Sequence, residues 1–527
     1  MQSLNDVTAA DQDQKKIMDV QVPDRLKFKL KETTRGLLRN KSLLWHQSTL
    51  SQYDISASST GVIEVYISGG NNSTLLDIKN SYLMFKAAVK PNDAGGYVSL
   101  GGRSNRSGLT RLFNRIRVST SSGQVQEIRG ANLWYDIQQK HLLSDEFIKS
   151  SGQLWGSGKY NRARAATVFA GSPPSTAEIQ STANSYNIRT IDDQDVTIFN
   201  PLAMPATKMH DLVTRGYTDN AGAYNANYQK ERASTFIIPL SFLSGFCAVN
   251  DYLPLSAMGQ IKFEFFLDSA TVAVHSISNA VTTDPYGAPA NVANARAASN
   301  AVQYTLSDVY IVSSQLNMND KLASGLQKVI ENGKCQIAYD SVWYNQSIHT
   351  SNSIAFQVSK ALFNVKSVHN VIRAVQQYNN GHMDSFDSVT DSAVSAPDDG
   401  KSINPVTLSD FKSFRVFIGS VGFPSARECT SLTHAYLLTQ ESFGRQLSQH
   451  FNACSYTDYL SRGCALFSVD TETDGSPFTG MSTSNGRMID VNIQFNNPPV
   501  TALSCDTFVL YTAVLKIGPN QFLSVSE

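Results

Sequence analysis

The chain has no surplus of either charge: 44 Lys and Arg stand against 44 Asp and Glu, a formal net charge of +0 over 527 residues. A dedicated nucleic-acid binder carries a clear basic excess, so sequence-specific nucleic-acid binding is not expected. Net charge near zero also removes the repulsion that keeps large soluble proteins apart, and so favours self-association. Long hydrophobic runs are missing as well. The most apolar stretch, Phe236 to Phe246, is broken by Pro239, Ser241 and Ser244 and is too short to span a bilayer. The opening residues, MQSLNDVTAADQDQKK, lack the apolar core of a signal peptide and predict a protein made inside the cell. Cysteine is sparse. Cys247, Cys335, Cys429, Cys454, Cys464 and Cys505 form no C-x-x-C pair and are expected to be reduced and buried.

Motifs of catalysis are lacking too. Gly400-Lys401-Ser402 has the tail of a phosphate-binding loop, but Ser395 stands where that motif needs glycine and Asp398 and Asp399 precede it. The nine histidines give no H-E-x-x-H pattern, and His275, His349 and His382 fall in loop-like sequence. There is no G-x-S-x-G elbow. Asp384, Asp387, Asp391, Asp398 and Asp399 crowd one segment without the spacing or the glutamate of a calcium loop. No catalytic residue, metal ligand or cofactor is therefore expected. A carboxylate pair for glycoside hydrolysis can come from distant strands, and the sequence leaves that possibility open.

What is there is period-two alternation, in a chain that is 41% hydrophobic and 10% aromatic. Ile261, Phe263, Phe265 and Leu267 alternate with Lys262, Glu264 and Asp268, the pattern of a half-buried strand over 259–268. Phe266 breaks the polar face, and a neighbouring loop or subunit is expected to cover it. Ile489, Val491, Ile493 and Phe495 repeat the pattern, as do Leu83, Phe85, Ala87 and Val89. Further strands are expected near 62–68, 110–119, 302–312, 337–344, 411–419 and 507–517, with short helices at 131–147 and 435–449. The segments 149–190, 203–231, 270–301 and 377–410 read as long polar connections. Many short strands and few helices predict an all-β sandwich class. Arg111, Arg115 and Arg117 recur at strand spacing and are expected to be structural or inter-subunit contacts.

The chain also resembles itself. Leu75-Leu76-Asp77-Ile78-Lys79-Asn80, continuing to Ala87, lies over Leu362-Phe363-Asn364-Val365-Lys366-Ser367, continuing to Ala374. Each half then runs strand, helix, alternating strand, long last strand, so two like domains are expected. Near the start, Arg25, Lys27, Lys29, Lys31, Arg35, Arg39 and Lys41 are accompanied by a single acid, Glu32. They predict either a solvated leading arm or one that touches something anionic, such as a membrane, an acidic partner or a genome.

The stretch FIIPLSFLSGFCAVNDYLPLSAMGQIKFEFFL, Phe236 to Leu267, resembles one in the double-jelly-roll major capsid proteins of double-stranded DNA viruses. Its Ile238-Pro239-Leu240, Leu253-Pro254-Leu255 and alternating Ile261–Leu267 carry the likeness. Leu112 to Val118 followed by Asn132-Leu133-Trp134, and Tyr304 to Val312, are similar to other parts of that pattern. The kinds of virus it suggests are polinton-like viruses, virophages and nucleocytoplasmic large DNA viruses.

The resemblance implies two tandem eight-stranded jelly-roll β-sandwiches with long loops and a few short helices. The expected division is an arm at 1–55, a first jelly roll at 56–315, a linker at 316–332, a second at 333–517 and a tail at 518–527. It further implies a non-enzymatic homotrimer, a pseudo-hexameric capsomer that tiles an icosahedral shell in the virion and assembles in the host cytoplasm or nucleus. Partners would be further copies, minor capsid and penton proteins, and an internal membrane or genome met through the basic arm. The alternative is a secreted carbohydrate-active β-sandwich protein, a lectin-like adhesin or a glycoside hydrolase; the missing signal peptide and scattered cysteines weigh against it.

Overall fold

The computed structural model describes residues 38–56, 58–71, 73–90, 97–100, 108–144, 147, 151–156, 234–277, 303–333, 335–375, 388–390, 406–425, 427–444, 454–461, 463–472, 479–484, 486–499, 502–518 and 522–526. Among these residues, eight strands in each half of the chain carry the architecture. The first eight are β1 (Leu38–Gln47), β2 (Gly61–Ile67), β3 (Thr74–Lys90), β4 (Phe113–Thr120), β5 (Gly123–Arg129), β6 (Ser234–Pro239), β7 (Ile261–Leu267) and β8 (Gln303–Met318). The second eight are β9 (Cys335–His349), β10 (Ser353–Val358), β11 (Val365–Ala374), β12 (Phe411–Ile418), β13 (Val421–Phe423), β14 (Phe467–Asp470), β15 (Ile489–Phe495) and β16 (Leu503–Ile517).

In the first half one sheet follows the path β1-β8-β3-β6 and the other β2-β7-β4-β5. In the second half the paths are β9-β16-β11-β14 and β10-β15-β12-β13. Adding eight to every label of the first half reproduces the second. The chain is therefore two jelly rolls of one topology, each a pair of antiparallel sheets packed face to face.

Alternation decides which face packs. On β7, Ile261, Phe263, Phe265 and Leu267 are buried, and on β15 Ile489, Val491, Ile493 and Phe495 are buried. Asp490, Asn492 and Gln494, between them, remain half-exposed. Opposite β7 in the first sandwich stand Leu83 and Phe85 of β3 and Ile311 of β8, all fully buried. Phe113 links the two layers, 6.4 Å from Phe85 and 5.4 Å from Phe265 between ring centres. In the second sandwich Phe467 does the same, 5.0 Å from Phe411 and 5.7 Å from Phe414.

The internal repeat read in the sequence falls on equivalent strands, β3 and β11. Both also break register at the same place. The pairing of β11 with β16 skips Lys366, and that of β3 with β8 skips Ile78 to Ser81, which include Lys79, the residue aligned with Lys366. The ladder is thus interrupted at the same position of both domains, over four residues in β3 and one in β11.

Three boundaries differ from those expected. The tail expected over 518–527 is not a free tail, because Leu523–Ser526 pairs with Val514–Ile517 of β16 and belongs to the second jelly roll's sheet. The arm expected over 1–55 ends earlier, because β1 and the short strand Gln52–Ile55 both pair with β8 and belong to the first sheet. The linker expected over 316–332 is ordered structure. There β8 runs on to Met318, and helix α2 (Asp320–Glu331) follows α1 (Ala131–Leu142) in the numbering. The Asn319 side chain caps α2 by accepting the Leu322 N–H at 3.0 Å, and Leu326 and Ile330 are buried. The expected helices are shorter than 131–147 and 435–449. α1 stops where Leu143 turns extended, and α3 spans Leu432–Ser442, capped by Ser431. Most of the expected long connections lie outside the described residues.

Candidate assembly interface

Among the described residues, those singled out in the sequence do not gather into a catalytic centre. Arg25, Lys27, Lys29, Lys31 and Arg35 lie outside the described residues, as do Gly400, Lys401, Ser402, His382 and the aspartates Asp384, Asp387, Asp391, Asp398 and Asp399. Arg39 lies on β1, and Lys41 is exposed on the same strand. No group of three metal-ligating side chains occurs among the described residues. Cys247, Cys429, Cys454, Cys464 and Cys505 are buried and unbridged; burial pushes the Cys247 thiol up to about 12 and that of Cys429 to about 11. Thiols held protonated in this way are poor nucleophiles.

The three arginines are structural. Arg117 makes a two-pronged pair with Glu264, one contact being 2.8 Å, and holds that carboxyl below the usual carboxylate range. Lys262 ties Glu264 to Glu64 at 3.0 and 2.7 Å, so ion pairs run across β2, β7 and β4 on the outer face. Arg115 pairs with Glu127 of β5. Phe266, expected to lie under a loop or another subunit, is flanked within the chain by the guanidiniums of Arg115 and Arg117, 4.7 and 5.6 Å from its ring centre. A cation over an aromatic face is itself a favourable contact for a half-buried ring.

The most extensive polar and aromatic assembly lies where the domains meet. Helix α1, which leaves the first sandwich after β5, rests on the outer face of the second domain's β9-β16-β11-β14 sheet. Trp134 packs on Phe508 and His369, with ring centres 5.3 and 5.4 Å away. His369 stacks in turn on Phe443, and Phe443 on His141 of α1, at 4.6 and 5.3 Å. Both nitrogens of His369 meet hydroxyls, of Ser367 at 2.8 Å and Ser468 at 3.0 Å. Burial drives its pKa down to about 3, so the ring is neutral and the stack carries no unpaired charge there.

Backbone contacts lock the same junction. The Lys140 ammonium donates to the Gly463 carbonyl at 3.3 Å, and His141 Nε2 lies 3.0 Å from the Cys464 carbonyl. Gln126 of β5 donates to the Asp340 carbonyl of β9 at 3.0 Å, while the Tyr339 hydroxyl donates to the Val125 carbonyl at 2.5 Å. Two glycines make the approach possible. A Cβ on Gly245 would stand 1.8 Å from the Asp340 oxygen, and one on Gly130, whose φ is +60, would stand 3.2 Å from the Tyr344 ring.

Beneath α1 lies a buried ion triad. Asp136 accepts from Arg111 Nε at 2.8 Å and pairs with Lys140 at 2.7 Å, and all three side chains are essentially out of solvent. A second buried pair, Arg373 and Asp506 at 2.9 Å, lies between β11 and β16 of the second domain, where Asp506 also accepts from the Tyr344 hydroxyl at 2.6 Å. Buried charge of this kind is tolerated where each group is fully paired, and it makes the local arrangement hard to vary. The triad was not singled out in the sequence. Its only signal was an Asp and a Lys at i, i+4 on one helix.

No family model matches the sequence, and no curated protein matches it. Solved structures do match along nearly the whole chain. The Faustovirus major capsid protein is 9% identical, with 94% of this chain and 96% of that one aligned at a TM-score of 0.52. The Sputnik virophage structure gives 10% identity, 96% and 92% coverage and a TM-score of 0.51. The PBCV-1 virus capsid gives 9%, 93%, 97% and 0.50. At such identities the likeness establishes the fold, the double jelly roll, over the length of the chain.

Proposed function

We propose that the protein is a major capsid protein, three copies of which form a homotrimer with six jelly rolls, a pseudo-hexameric capsomer that tiles an icosahedral virion. The observation that carries this reading is the way the two domains pack. The helix side of the first jelly roll sits on the sheet side of the second, so the contact is heterologous, between two different surfaces. Heterologous contacts repeated between like units generate rings when the rotation closes. One chain is two consecutive units of such a ring, and three chains complete six. The similar folds of the Faustovirus and Sputnik capsid structures support the same reading. They do not favour the carbohydrate-active alternative.

Stiff sandwiches and broad lateral contacts are what a tile needs, so no catalytic group and no cofactor belong to this proposal. Its partners are further copies of the chain, with minor capsid and penton proteins at the shell's seams and vertices. Its place is the virion, assembled inside the host cell in cytoplasm or nucleus. Measuring the mass of the purified protein by light scattering tests it. A particle of three 57.7 kDa chains with a hexagonal outline in negative stain is expected. A monomer at micromolar concentration is incompatible with the proposal.

The basic run from Arg25 to Lys41 belongs to the reading as the side turned towards an anionic inner layer, membrane or genome. Removing residues 1–37, which precede β1, is expected to leave a folded trimer that assembles poorly or fails to hold the inner layer. Unchanged assembly and attachment would take the arm out of the proposal.

A further inference from the structure

At the junction of the domains one phenyl ring lies between two imidazoles. Phe443, the residue at which α3 ends, stacks on His369 of β11 at 4.6 Å and on His141 of α1 at 5.3 Å. Trp134 of α1 packs on His369 as well, at 5.4 Å, and the His369 side chain is fully buried. The stack therefore ties a helix carried by the first domain to a strand and a helix end of the second.

The site suits the neutral imidazole. A neutral ring donates through one nitrogen and accepts through the other, and the hydroxyls of Ser367 and Ser468 meet the two nitrogens at 2.8 and 3.0 Å. An imidazolium would donate from both and would place a charge in a fully buried site. The charged groups around it are already engaged or in solvent. On α1, Asp136 holds Arg111 and Lys140. Between β11 and β16, Arg373 pairs with Asp506, which also accepts from Tyr344 of β9. On β14, Asp470 lies beside Lys366, and Glu441 of α3 is exposed. His141, across Phe443, disfavours a further positive charge.

We propose that acid opens this junction: α1 lifts from the β9-β16-β11-β14 sheet of the second domain as the His369 imidazole takes up a proton. Burial holds the ring's pKa at about 3 in the closed junction, whereas an imidazole released to water titrates at about 6.5. Between these values the open form binds more protons. Closure is therefore fully favoured above about pH 6.5 and loses ground as the pH falls below it. Asp268 carries the opposite sign. It accepts from Asn132 of α1 at 2.8 Å, and burial pushes its carboxyl up to about 6, so its protonation favours the folded first domain in acid and works against opening. For a capsomer, acid opening loosens the tile without unfolding either sandwich. The junction lies within one chain, so failure of this inference leaves the capsomer reading standing.

The chain's own cysteines report the opening. Cys464 is buried at the junction, its carbonyl 3.0 Å from His141 Nε2, and Cys505 is buried in the core of the second sandwich. The full-length protein is treated with 4,4′-dithiodipyridine, which labels thiols in acid as well as at neutral pH, and each site is followed by mass spectrometry. Each rate is divided by that of the same cysteine in the urea-unfolded chain at the same pH. Between pH values of about 6 and about 4 the ratio for Cys464 is expected to rise about 70-fold, the linkage of one histidine, while that for Cys505 stays constant. His369→Gln, which takes up no proton, is expected to hold Cys464 within about threefold.

An unchanging ratio for Cys464 overturns the proposal. So does a rise shared by Cys505, which would mean that the sandwich unfolds as a whole. An undiminished rise in His369→Gln assigns the proton to another group and overturns it too. Should His369→Gln fail to fold, the pH window of the wild type decides. A rise already under way at about pH 5.5 belongs to histidine and supports the proposal, whereas one confined below about pH 4.5 belongs to carboxylates and overturns it.

Discussion

Replacing Asp136 by Asn is expected to destabilise the first domain by about 3–5 kcal/mol, the range found when one partner of a buried ion pair is removed. The substitution hardly changes volume. It removes the negative charge that pairs with both Arg111 and Lys140, each buried against it. Arg111 has no deprotonated form within reach, so its desolvated charge must be hydrated by distorting the helix or endured. Lys140 keeps its contact to the Gly463 carbonyl, so the strain passes into the domain junction. Urea unfolding followed by tryptophan fluorescence reads this directly, since Trp134 sits on the same helix and against the second domain. A change below about 1 kcal/mol would mean that the triad contributes no more than a surface pair. Replacing all three residues with apolar side chains of similar size is expected to restore most of the loss, because it removes the orphaned charges along with their partner.

Phe263→Ala is expected to cost about 3–5 kcal/mol as well, through lost burial and the cavity left behind. Phe263 is buried at the centre of β7, between Val65 of β2 and Val118 of β4, its ring stacked 6.1 Å from Phe265. The informative comparison is Phe266→Ala on the same strand. That ring faces outward between two guanidiniums, and its loss is expected to cost under about 2 kcal/mol, two exposed cation–π contacts with some lost packing. Equal effects at the two positions, measured in the same denaturation series, would show that the face assignment of β7 is wrong. An effect of Phe263→Ala confined to trimer yield, with monomer stability unchanged, would contradict its place in the core.

Some of this was legible before any coordinates. β7 and β15 announce themselves because each gives four apolar residues at a spacing of two, and such a pattern has one stable reading. The repeat was legible from the segments beginning at Leu75 and Leu362, and they prove to be the same strand of the same fold. β13 and β14 were not, since three or four residues hold too few alternations to rise above chance. α2 went unread although Asn319, Leu322, Leu326 and Ile330 mark a capped, one-sided helix, because its place between two domains reads equally well as a linker.

The division between the two kinds of information follows from range. Alternation, capping and the near-balance of charge are properties of neighbouring residues or of composition, so the order of the residues alone determined that this is a β-rich, twofold-repeated chain. The roof of Trp134 over His369, the triad of Arg111, Asp136 and Lys140, and the exposure of Trp45 depend on residues far apart in the chain. Nothing local distinguishes Tyr344, which is covered, from Trp45, which is not. Only the packing of one sandwich against the other does, because a face is an interface only when a second surface has the shape to meet it.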